Sequence, residues 1–324
     1  MANQTTDGAT AAPFYETGER SDDHRFHFGA MASACEVRLA GVSRDVAATW
    51  AAQAINEVRR IELKYSRYLA DSVVSRINAS AGVATGCELD AETAQLLAFA
   101  DQLFHLSDGL FDITSGVLRR AWNFREPQLP SPDRIAALLP LVGWREVRRE
   151  TVKGTTRVTL PRAGMELDLG GFGKEYAADR AAALLSQAGA TRGLVNLGGD
   201  LRALGPQSDD EPWSIGIQHP RDPASTIASI RLARGALTTS GDYERYFDLD
   251  GKRYCHILNP QTGWPIDGWQ AVSVVAPLAV AAGAMSTIAM LKGDAAAAFL
   301  ATQQVAWLGV DKAGEVIRHG IATC

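Results

Sequence analysis

Cysteine is scarce in this 324-residue chain, which contains four, and no two of them form a CxxC pair. Structural zinc sites and disulfide frameworks need closely spaced or paired cysteines, so the sequence argues against both. The segment near the N-terminus is polar and lacks the apolar run typical of an export signal. We therefore expect a cytoplasmic protein in a reducing compartment.

An excess of positive charge is also missing. Lys and Arg number 32 against 37 Asp and Glu, so the formal net charge is −5. Broad nucleic-acid binding needs a basic surface, and this composition argues against it. The apolar share of 46% and the charged share of 21% are ordinary for a packed globular protein, which excludes disorder of the whole chain.

Charge of either sign is absent from residues 268–291, a run long enough in principle to span a bilayer. Pro277, Gly283 and many alanines lie within it, and alanine contributes little to membrane insertion compared with Leu, Ile or Phe. We interpret the run as a buried strand followed by a buried helix, and predict no membrane span.

No repeat or low-complexity linker interrupts the chain after its polar start, so we expect a disordered tail over residues 1–25 and one domain over residues 26–324. Strands and helices are mixed without regular βαβ alternation, which favours the α+β class. The predicted elements are a strand over residues 26–39, helices over 46–65, 90–109 and 174–187, and a hairpin at Asp250-Gly251.

A glycine-rich run leads directly into a predicted helix between Asp168 and Tyr176. Glycine lets backbone approach a ligand closely, and the unpaired N–H groups at a helix start suit phosphate. Lys174 would add a positive charge beside them. The spacing is neither a P-loop nor a GxGxxG fingerprint, and from spacing alone a tight turn without a ligand stays equally open.

Three other polar residues are candidates for the site, although each taken singly has a commoner structural role. Asp112 could bind a ligand or cap a helix, and capping is the commoner role. His256 lies between a predicted strand and a Pro/Gly turn, where a general base could face a cleft, although a lone histidine is more often structural. Cys255 is adjacent to it on the strand and should point to the opposite face, so the two are not expected to form a catalytic pair.

Seven motifs, taken in order from about Phe28 to Gly293, resemble those of the ApbE-type flavin transferases (FAD:protein FMN transferase). The element from Asp168 to Asp179 resembles the family's central DLGGxxKGYxxD, with Glu175 where Gly is commoner. The other six are MAS at 31–33, YSRY at 65–68 with SRIN at 75–78, GLFDIT at 109–114, NLGGD at 196–200, TSGD at 239–242 and HILNP at 256–260.

The resemblance implies an α+β fold of mixed sheets and packed helices in one catalytic domain. It implies an enzyme that splits the pyrophosphate of FAD and moves FMN onto a Thr or Ser hydroxyl of an acceptor flavoprotein subunit, with release of AMP. Magnesium would span the pyrophosphate, and His256 would take the proton from the acceptor hydroxyl. The residues expected to contact FAD are Met31, Tyr68, Phe111, Asp112, Gly171, Lys174, Asp242 and His256.

The metal motif departs from the family pattern. The family's A-D-A-x-x-T element supplies an Asp and a Thr to magnesium, together with a carbonyl from the glycine loop. Here Gly283 stands at the Asp position, while Thr287 and the Gly173 carbonyl remain as expected ligands. Magnesium usually relies on one or two carboxylates plus substrate phosphates.

Three explanations of this departure stay open. Another acid could substitute, and Asp242 and Asp168 are the nearest candidates within the motifs. The ion could be held mainly by FAD and water. Alternatively, the protein could be an FAD-binding protein or an FAD pyrophosphatase without transferase activity.

Overall fold

A computed structural model describes residues 13–18 and 21–321 of the chain, and within them there are seven α-helices and sixteen β-strands. The helices are α1 (Arg44–Tyr65), α2 (Val73–Ala79), α3 (Ala91–Leu106), α4 (Pro132–Leu138), α5 (Gly173–Gln187), α6 (Ala279–Lys292) and α7 (Ala296–Gln303). The strands are β1 (Phe14–Thr17), β2 (Asp23–Ala30), β3 (Ser33–Ala40), β4 (Cys87–Leu89), β5 (Arg148–Val152), β6 (Thr155–Thr159), β7 (Gly193–Leu197), β8 (Asp200–Gly205), β9 (Trp213–His219), β10 (Asp222–Leu232), β11 (Gly235–Gly241), β12 (Tyr246–Leu249), β13 (Lys252–Cys255), β14 (Ala271–Ala276), β15 (Ala306–Val310) and β16 (Val316–His319). The mixture confirms the α+β class.

One large sheet organises the molecule. In the described part of the chain it has nine strands in the order β1-β2-β3-β7-β8-β11-β14-β15-β16, and each neighbouring pair is antiparallel. Helices α1, α5 and α6 pack on one face, where they share the main hydrophobic core with the sheet. The β9–β10 hairpin covers the other face around Trp213 and Leu237. The result is three layers, with the sheet in the middle.

The strand predicted over residues 26–39 is wrong in one respect, because the chain reverses within it. Strands β2 and β3 form a hairpin whose turn residues, Met31 and Ala32, have φ angles of 53° and 56°. Two consecutive left-handed residues make the type I′ turn that fits the twist of a hairpin, but Gly or Asn usually occupies it. The missing glycine hid the turn from sequence reasoning.

The tail predicted over residues 1–25 is also partly corrected. Residues 1–12 lie outside the described residues, but Phe14–Thr17 forms the edge strand β1, and β2 already begins at Asp23. The ring of Phe14 stacks on His27 at 4.6 Å, and the Tyr15 hydroxyl lies 3.0 Å from Nδ1 of His24. These aromatic contacts give a polar segment enough anchors to pair with β2.

The uncharged run of residues 268–291 forms strand β14 and most of helix α6, as predicted. By length and composition alone, Ala279–Gln303 could cross a membrane, and half of its most apolar window is buried. Within the described residues α6 packs against β11, β14 and α5. A helix that is apolar all round is suited to such a buried position.

The other predicted helices are confirmed, with bounds that differ by at most three residues. Asp90 caps α3 by accepting a hydrogen bond from the Thr93 N–H at 3.1 Å. The hairpin at Asp250-Gly251 joins β12 to β13, and both turn residues have positive φ. An aromatic cluster around Trp122 and Phe247 seats this hairpin against the rest of the domain, which positions the segment that follows β13.

Candidate active site

The glycine-rich run forms a tight loop at the start of α5. A Cβ on Gly171 would lie 2.9 Å from the Phe111 ring, so only glycine fits over that ring without a shift. Asp168 braces the loop by accepting the Gly170 N–H at 2.9 Å and by pairing with Arg67. Among the described residues no side chain caps α5, and the Gly173 N–H donates to the Leu169 carbonyl at 2.8 Å, so an anion would meet the N–H groups that follow Gly173.

Lys174 lies in the first turn of α5 and joins this loop to a second motif. Its Nζ is 2.8 Å from the carboxylate of Asp200, which is buried in β8. A Cβ on Gly198 would come within 3.7 Å of the same Nζ. Burial lowers the pKa of Lys174, but the charges of Asp200 and Glu175 outweigh it and leave the pKa above its ordinary value. The ammonium is therefore charged, and a third of its side chain is exposed.

Glu175 is the next residue and points into the protein. It is only 7% exposed, and its Oε2 has no hydrogen-bond partner among the described residues. Burial, followed by repulsion from Asp200, raises the pKa of this carboxyl group well above its ordinary value. Sequence analysis noted Glu175 only as a departure from the family pattern, and assigned it no role.

Helix α6 is held against α5 by Asp179. One carboxylate oxygen of Asp179 accepts the Ala279 N–H and the other accepts the Val280 N–H, both at 2.9 Å, while Arg202 donates to Asp179 at 3.0 Å. Asp179 thus caps the start of α6 from the neighbouring helix. The cap sets which residues of the two helices face each other further along.

Thr287 lies one turn after Gly283 on α6, as an i+4 pair on one helix face. Its hydroxyl is 3.0 Å from the Ser240 hydroxyl at the end of β11, and Ser240 also contacts the Ser286 hydroxyl at 2.8 Å. Three hydroxyl groups therefore meet beside the position where the family pattern has a carboxylate. No group of three or more His, Cys, Asp or Glu side chains suited to a metal occurs in the described residues.

His256 follows strand β13 directly. Its backbone N–H donates to the Arg245 carbonyl at 2.9 Å, which fixes the segment, and its Nδ1 is buried without a partner among the described residues. Burial, with the charge of Arg245 and a smaller effect of Lys174, lowers the pKa of His256 to about 4. The imidazole is therefore neutral at physiological pH and able to accept a proton.

Two residues expected to contact FAD lie at the surface of this region. Met31 is in the β2–β3 turn, where its N–H donates to Glu62 at 2.6 Å, and a Cβ on Gly198 would lie 2.6 Å from the hydroxyl of neighbouring Ser33. Tyr68 is 76% exposed, with the Arg67 guanidinium 4.8 Å from its ring centre. Because Arg67 also pairs with Asp168, the Tyr68 ring stands close to the glycine loop.

Three other residues expected to contact FAD already have partners within the protein. They are Phe111, Asp112 and Asp242. Phe111 is buried beneath Gly171. Asp112 caps the 3-10 turn that follows it, by accepting the Thr114 N–H at 2.7 Å, and its other oxygen accepts the Trp144 N–H at 3.0 Å.

Asp242 forms a two-point ion pair with Arg221, with bonds of 2.6 and 2.7 Å. It is therefore compensated by a cation, as Asp168 is by Arg67. Each of the two acids named as candidates to replace the carboxylate missing at Gly283 therefore has an arginine partner.

A cavity of about 400 Å³ opens beside the segment that follows His256. Asp112, Trp144, Pro260 and Gln261 are among the residues that line it. The GLFDIT motif and the end of the HILNP motif are far apart in sequence, but residues of both line this cavity.

Sequence reasoning missed three residues of this region: Glu175, Asp200 and Ser240. Asp200 and Ser240 were included within motifs but given no role of their own. Glu175 and Gly283 were noted as two separate departures from one family pattern. The sequence signal was that one motif gains an acid at Glu175 while another lacks one at Gly283, and this pairing predicts that the two positions are in contact.

Comparison with protein families matches the ApbE family over residues 31–308. Relatives named FAD:protein FMN transferase include one from Haemophilus influenzae, 31% identical over 73% of this chain and 70% of the relative, and one from Escherichia coli, 33% identical over 78% and 69%. The crystal structure of an ApbE protein from Thermotoga maritima has a TM-score of 0.84 at 32% identity, and covers 92% of this chain and 97% of its own. The chain belongs to the ApbE family.

Proposed function

We propose that this protein is an FAD:protein FMN transferase, which moves FMN from FAD onto a Thr or Ser hydroxyl of a target flavoprotein and releases AMP. Relatives that carry this name cover most of the chain. The observation that carries the proposal is the meeting of an uncapped α5 start, a charged Lys174 and a neutral His256 in one region. Lys174 is near enough to His256 for its charge to lower the histidine pKa.

Binding of FAD would use groups that are exposed in this region. The N–H groups at the start of α5 and the ammonium of Lys174 suit the pyrophosphate. The exposed ring of Tyr68 offers a flat face for a flavin or adenine ring, and Met31 borders the same region. Contacts of FAD with Phe111, Asp112, Gly171 and Asp242 stay predictions of the family resemblance.

The reaction breaks one phosphoanhydride bond and forms one phosphoester bond. The acceptor hydroxyl oxygen attacks the phosphorus of the FMN half, and the bond from that phosphorus to the bridging oxygen breaks, so that AMP leaves with the electron pair. The hydroxyl proton passes to a ring nitrogen of His256. Positioning and charge neutralisation account for most of such catalysis.

Magnesium is part of the proposal, and the residues present suit it. The Thr287 hydroxyl and the Gly173 carbonyl are oxygen donors, and the unpartnered Oε2 of Glu175 lies in the same region. When bound, the ion would neutralise charge on the pyrophosphate. Gly173 and Thr287 would hold it together with the phosphates.

The acceptor is proposed to be a flavoprotein subunit, and the reaction is placed in the cytoplasm. The four cysteines are scattered without a CxxC pair, which suits a reducing compartment.

The test incubates the protein with FAD, Mg²⁺ and candidate flavoprotein subunits. A flavin-fluorescent band that survives denaturing electrophoresis, with an equal amount of AMP released, supports transfer. A His256→Asn variant serves as the control. AMP and free FMN formed over many turnovers without an acceptor would instead indicate a pyrophosphatase, and FAD binding without AMP would indicate a binding protein.

A further inference from the structure

Glu175 presents a buried carboxylate oxygen with nothing to bind. The residue is 7% exposed, and Oε2 lacks a partner among the described residues. Leaving such a group unpaired is costly, and native proteins seldom do so without a ligand or a function. We therefore expect a bound ligand to contact Glu175 Oε2, because the described residues supply no partner for it.

The place of this carboxylate is specific. A Cβ on Gly283 would lie 2.5 Å from Oε1, 2.7 Å from Cγ and 2.8 Å from Cδ of Glu175. The Glu175 side chain thus fills the space into which a side chain at position 283 would project. Asp179 lies one turn after Glu175 on α5, and its partner Ala279 lies one turn before Gly283 on α6, so the same register brings Glu175 onto Gly283.

The charges nearby favour a cation. Glu175 and Asp200 share one ammonium, that of Lys174, which pairs with Asp200 at 2.8 Å. Asp179, the next acid on α5, is compensated by Arg202. Among the described residues Glu175 is therefore left without a cation of its own, at the place where it meets Gly283, one helical turn before Thr287 on α6.

We infer that Glu175 supplies the carboxylate of a divalent-cation site in this chain, in place of the aspartate that the family pattern has at the position of Gly283. The carboxylate has moved from α6 to α5 and reaches the same space from the opposite helix. Gly283 then leaves room for this carboxylate, because a side chain at position 283 would force Glu175 to shift. The inference deepens the proposed function and rests on it for the identity of the phosphate ligand.

The other acids that could serve are already compensated. Asp242 is bound at two points by Arg221, and Asp168 pairs with Arg67 while it accepts the Gly170 N–H. Using either as a metal ligand would leave a guanidinium without its partner, which is unfavourable. Glu175 carries no such cost.

The first test measures binding of Mn²⁺, as a probe for the cation, to the purified protein with and without ADP by electron paramagnetic resonance. Glu175→Gln keeps the size of the side chain and removes its charge, so Mn²⁺ affinity should fall at least tenfold. Asp45→Asn, at an exposed acid in the first turn of α1, is the control and should change it less than threefold, while Asp242→Asn tests the competing candidate ligand. Equal affinity in Glu175→Gln and the parent protein, or loss only in Asp242→Asn, would overturn the inference.

The second test returns the carboxylate to α6. Gly283→Asp alone should lower the melting temperature, because the new Cβ collides with Glu175, and should not strengthen Mn²⁺ binding. The double variant Glu175→Gly with Gly283→Asp should recover Mn²⁺ affinity to within about threefold of the parent protein. A matched double variant, Glu175→Gly with Gly283→Ala, has the same backbone changes without the carboxylate and should not recover it.

The outcomes separate this inference from the proposed function. Mn²⁺ binding that depends on Glu175, in a protein that transfers no flavin, would leave the inference standing and contradict the function. Flavin transfer by a protein whose Mn²⁺ affinity does not depend on Glu175 would support the proposed function and contradict the inference. The inference is also contradicted if the double variant with Gly283→Asp is folded, as judged by circular dichroism, and binds no better than the double variant with Gly283→Ala.

Discussion

The carboxylate of Glu175 lies against Gly283, where a Cβ would stand only 2.5 Å from its Oε1. The two residues are each unusual against the family pattern, one by gaining an acid and the other by lacking one. Their contact indicates that the two departures are related, since a carboxylate on α5 occupies the space of the one missing from α6. An explanation in which the metal site has decayed has to treat them as a coincidence.

His256 is expected to act as the base. The variant His256→Asn should lower kcat for flavin transfer by a factor of about 10²–10⁴, the usual contribution of a general base. Affinity for FAD should change much less than kcat, because the ring is only one of several expected FAD contacts but is the base that is assigned to the acceptor hydroxyl. Fluorescence titration with FAD and the in-gel transfer assay measure the two quantities separately. A parallel loss of both would contradict the assigned role.

The pH dependence of transfer should reflect the low pKa of His256. Burial lowers it to about 4, so the ring stays neutral and competent well below its ordinary pKa of 6.5. The acid limb of the kcat profile should therefore lie between about pH 4 and 5, instead of near 6.5. An acid limb centred near pH 6.5 in the parent protein would contradict this prediction, because it would show that the His256 ring is exposed to solvent in the working enzyme.

Folding stability should also depend on this histidine. The unfolded state binds a proton as the pH falls below 6.5, whereas the folded state resists it until about 4, so stability is lost across that window. The full loss is up to about 3 kcal/mol, from 1.36 kcal/mol per pKa unit. Urea unfolding at several pH values should show a shallower acid dependence in His256→Asn than in the parent protein.

Tyr68 should bind FAD through its exposed ring. Tyr68→Ala should raise KM for FAD about tenfold, since stacking on an aromatic side chain contributes about 1–3 kcal/mol. Tyr68→Phe keeps the ring and should stay within about twofold. Neither should move the free energy of unfolding by more than about 0.5 kcal/mol, because the side chain is 76% exposed. Equal KM values in all three proteins would remove Tyr68 from the site.

Asp179 should stabilise the contact between α5 and α6. Asp179→Ala removes two hydrogen bonds from the start of α6 and the partner of Arg202, and should cost about 2 kcal/mol or more. Asp45, exposed in the first turn of α1, offers a control, and Asp45→Ala should change stability by less than about 0.5 kcal/mol. Urea denaturation measures both.

The turn between β2 and β3 should tolerate glycine better than alanine. Ala32 has a φ of 56°, a conformation that glycine adopts without strain, so Ala32→Gly should stabilise the fold by about 0.5–1 kcal/mol. The same exchange at Ala48, exposed within α1, should destabilise it by about 1 kcal/mol. Two changes of the same sign would contradict the strain assigned to the turn.

Much of the fold was accessible from local sequence patterns. The helical stripe ending at Tyr65, the cap at Asp90 and the turn at Asp250-Gly251 all depend on neighbours within a few residues, and each is confirmed. The turn at Met31-Ala32 was missed because its signal residue, glycine, is absent. Strand β1 was missed because its pairing depends on aromatic contacts with β2 instead of on its own polar composition.

By itself, the sequence determined the family, because seven ordered motifs survive in one chain whatever their arrangement in space. It also indicated the phosphate-binding character of the loop at Lys174, since glycines and a helix start act over a short range. Only the tertiary structure decided what happens to the missing carboxylate. Asp179 sets the register of two helices, and that register places Glu175 on Gly283 and leaves its buried Oε2 without a hydrogen-bond partner among the described residues. Burial and contact across helices depend on packing, which no spacing along the chain encodes.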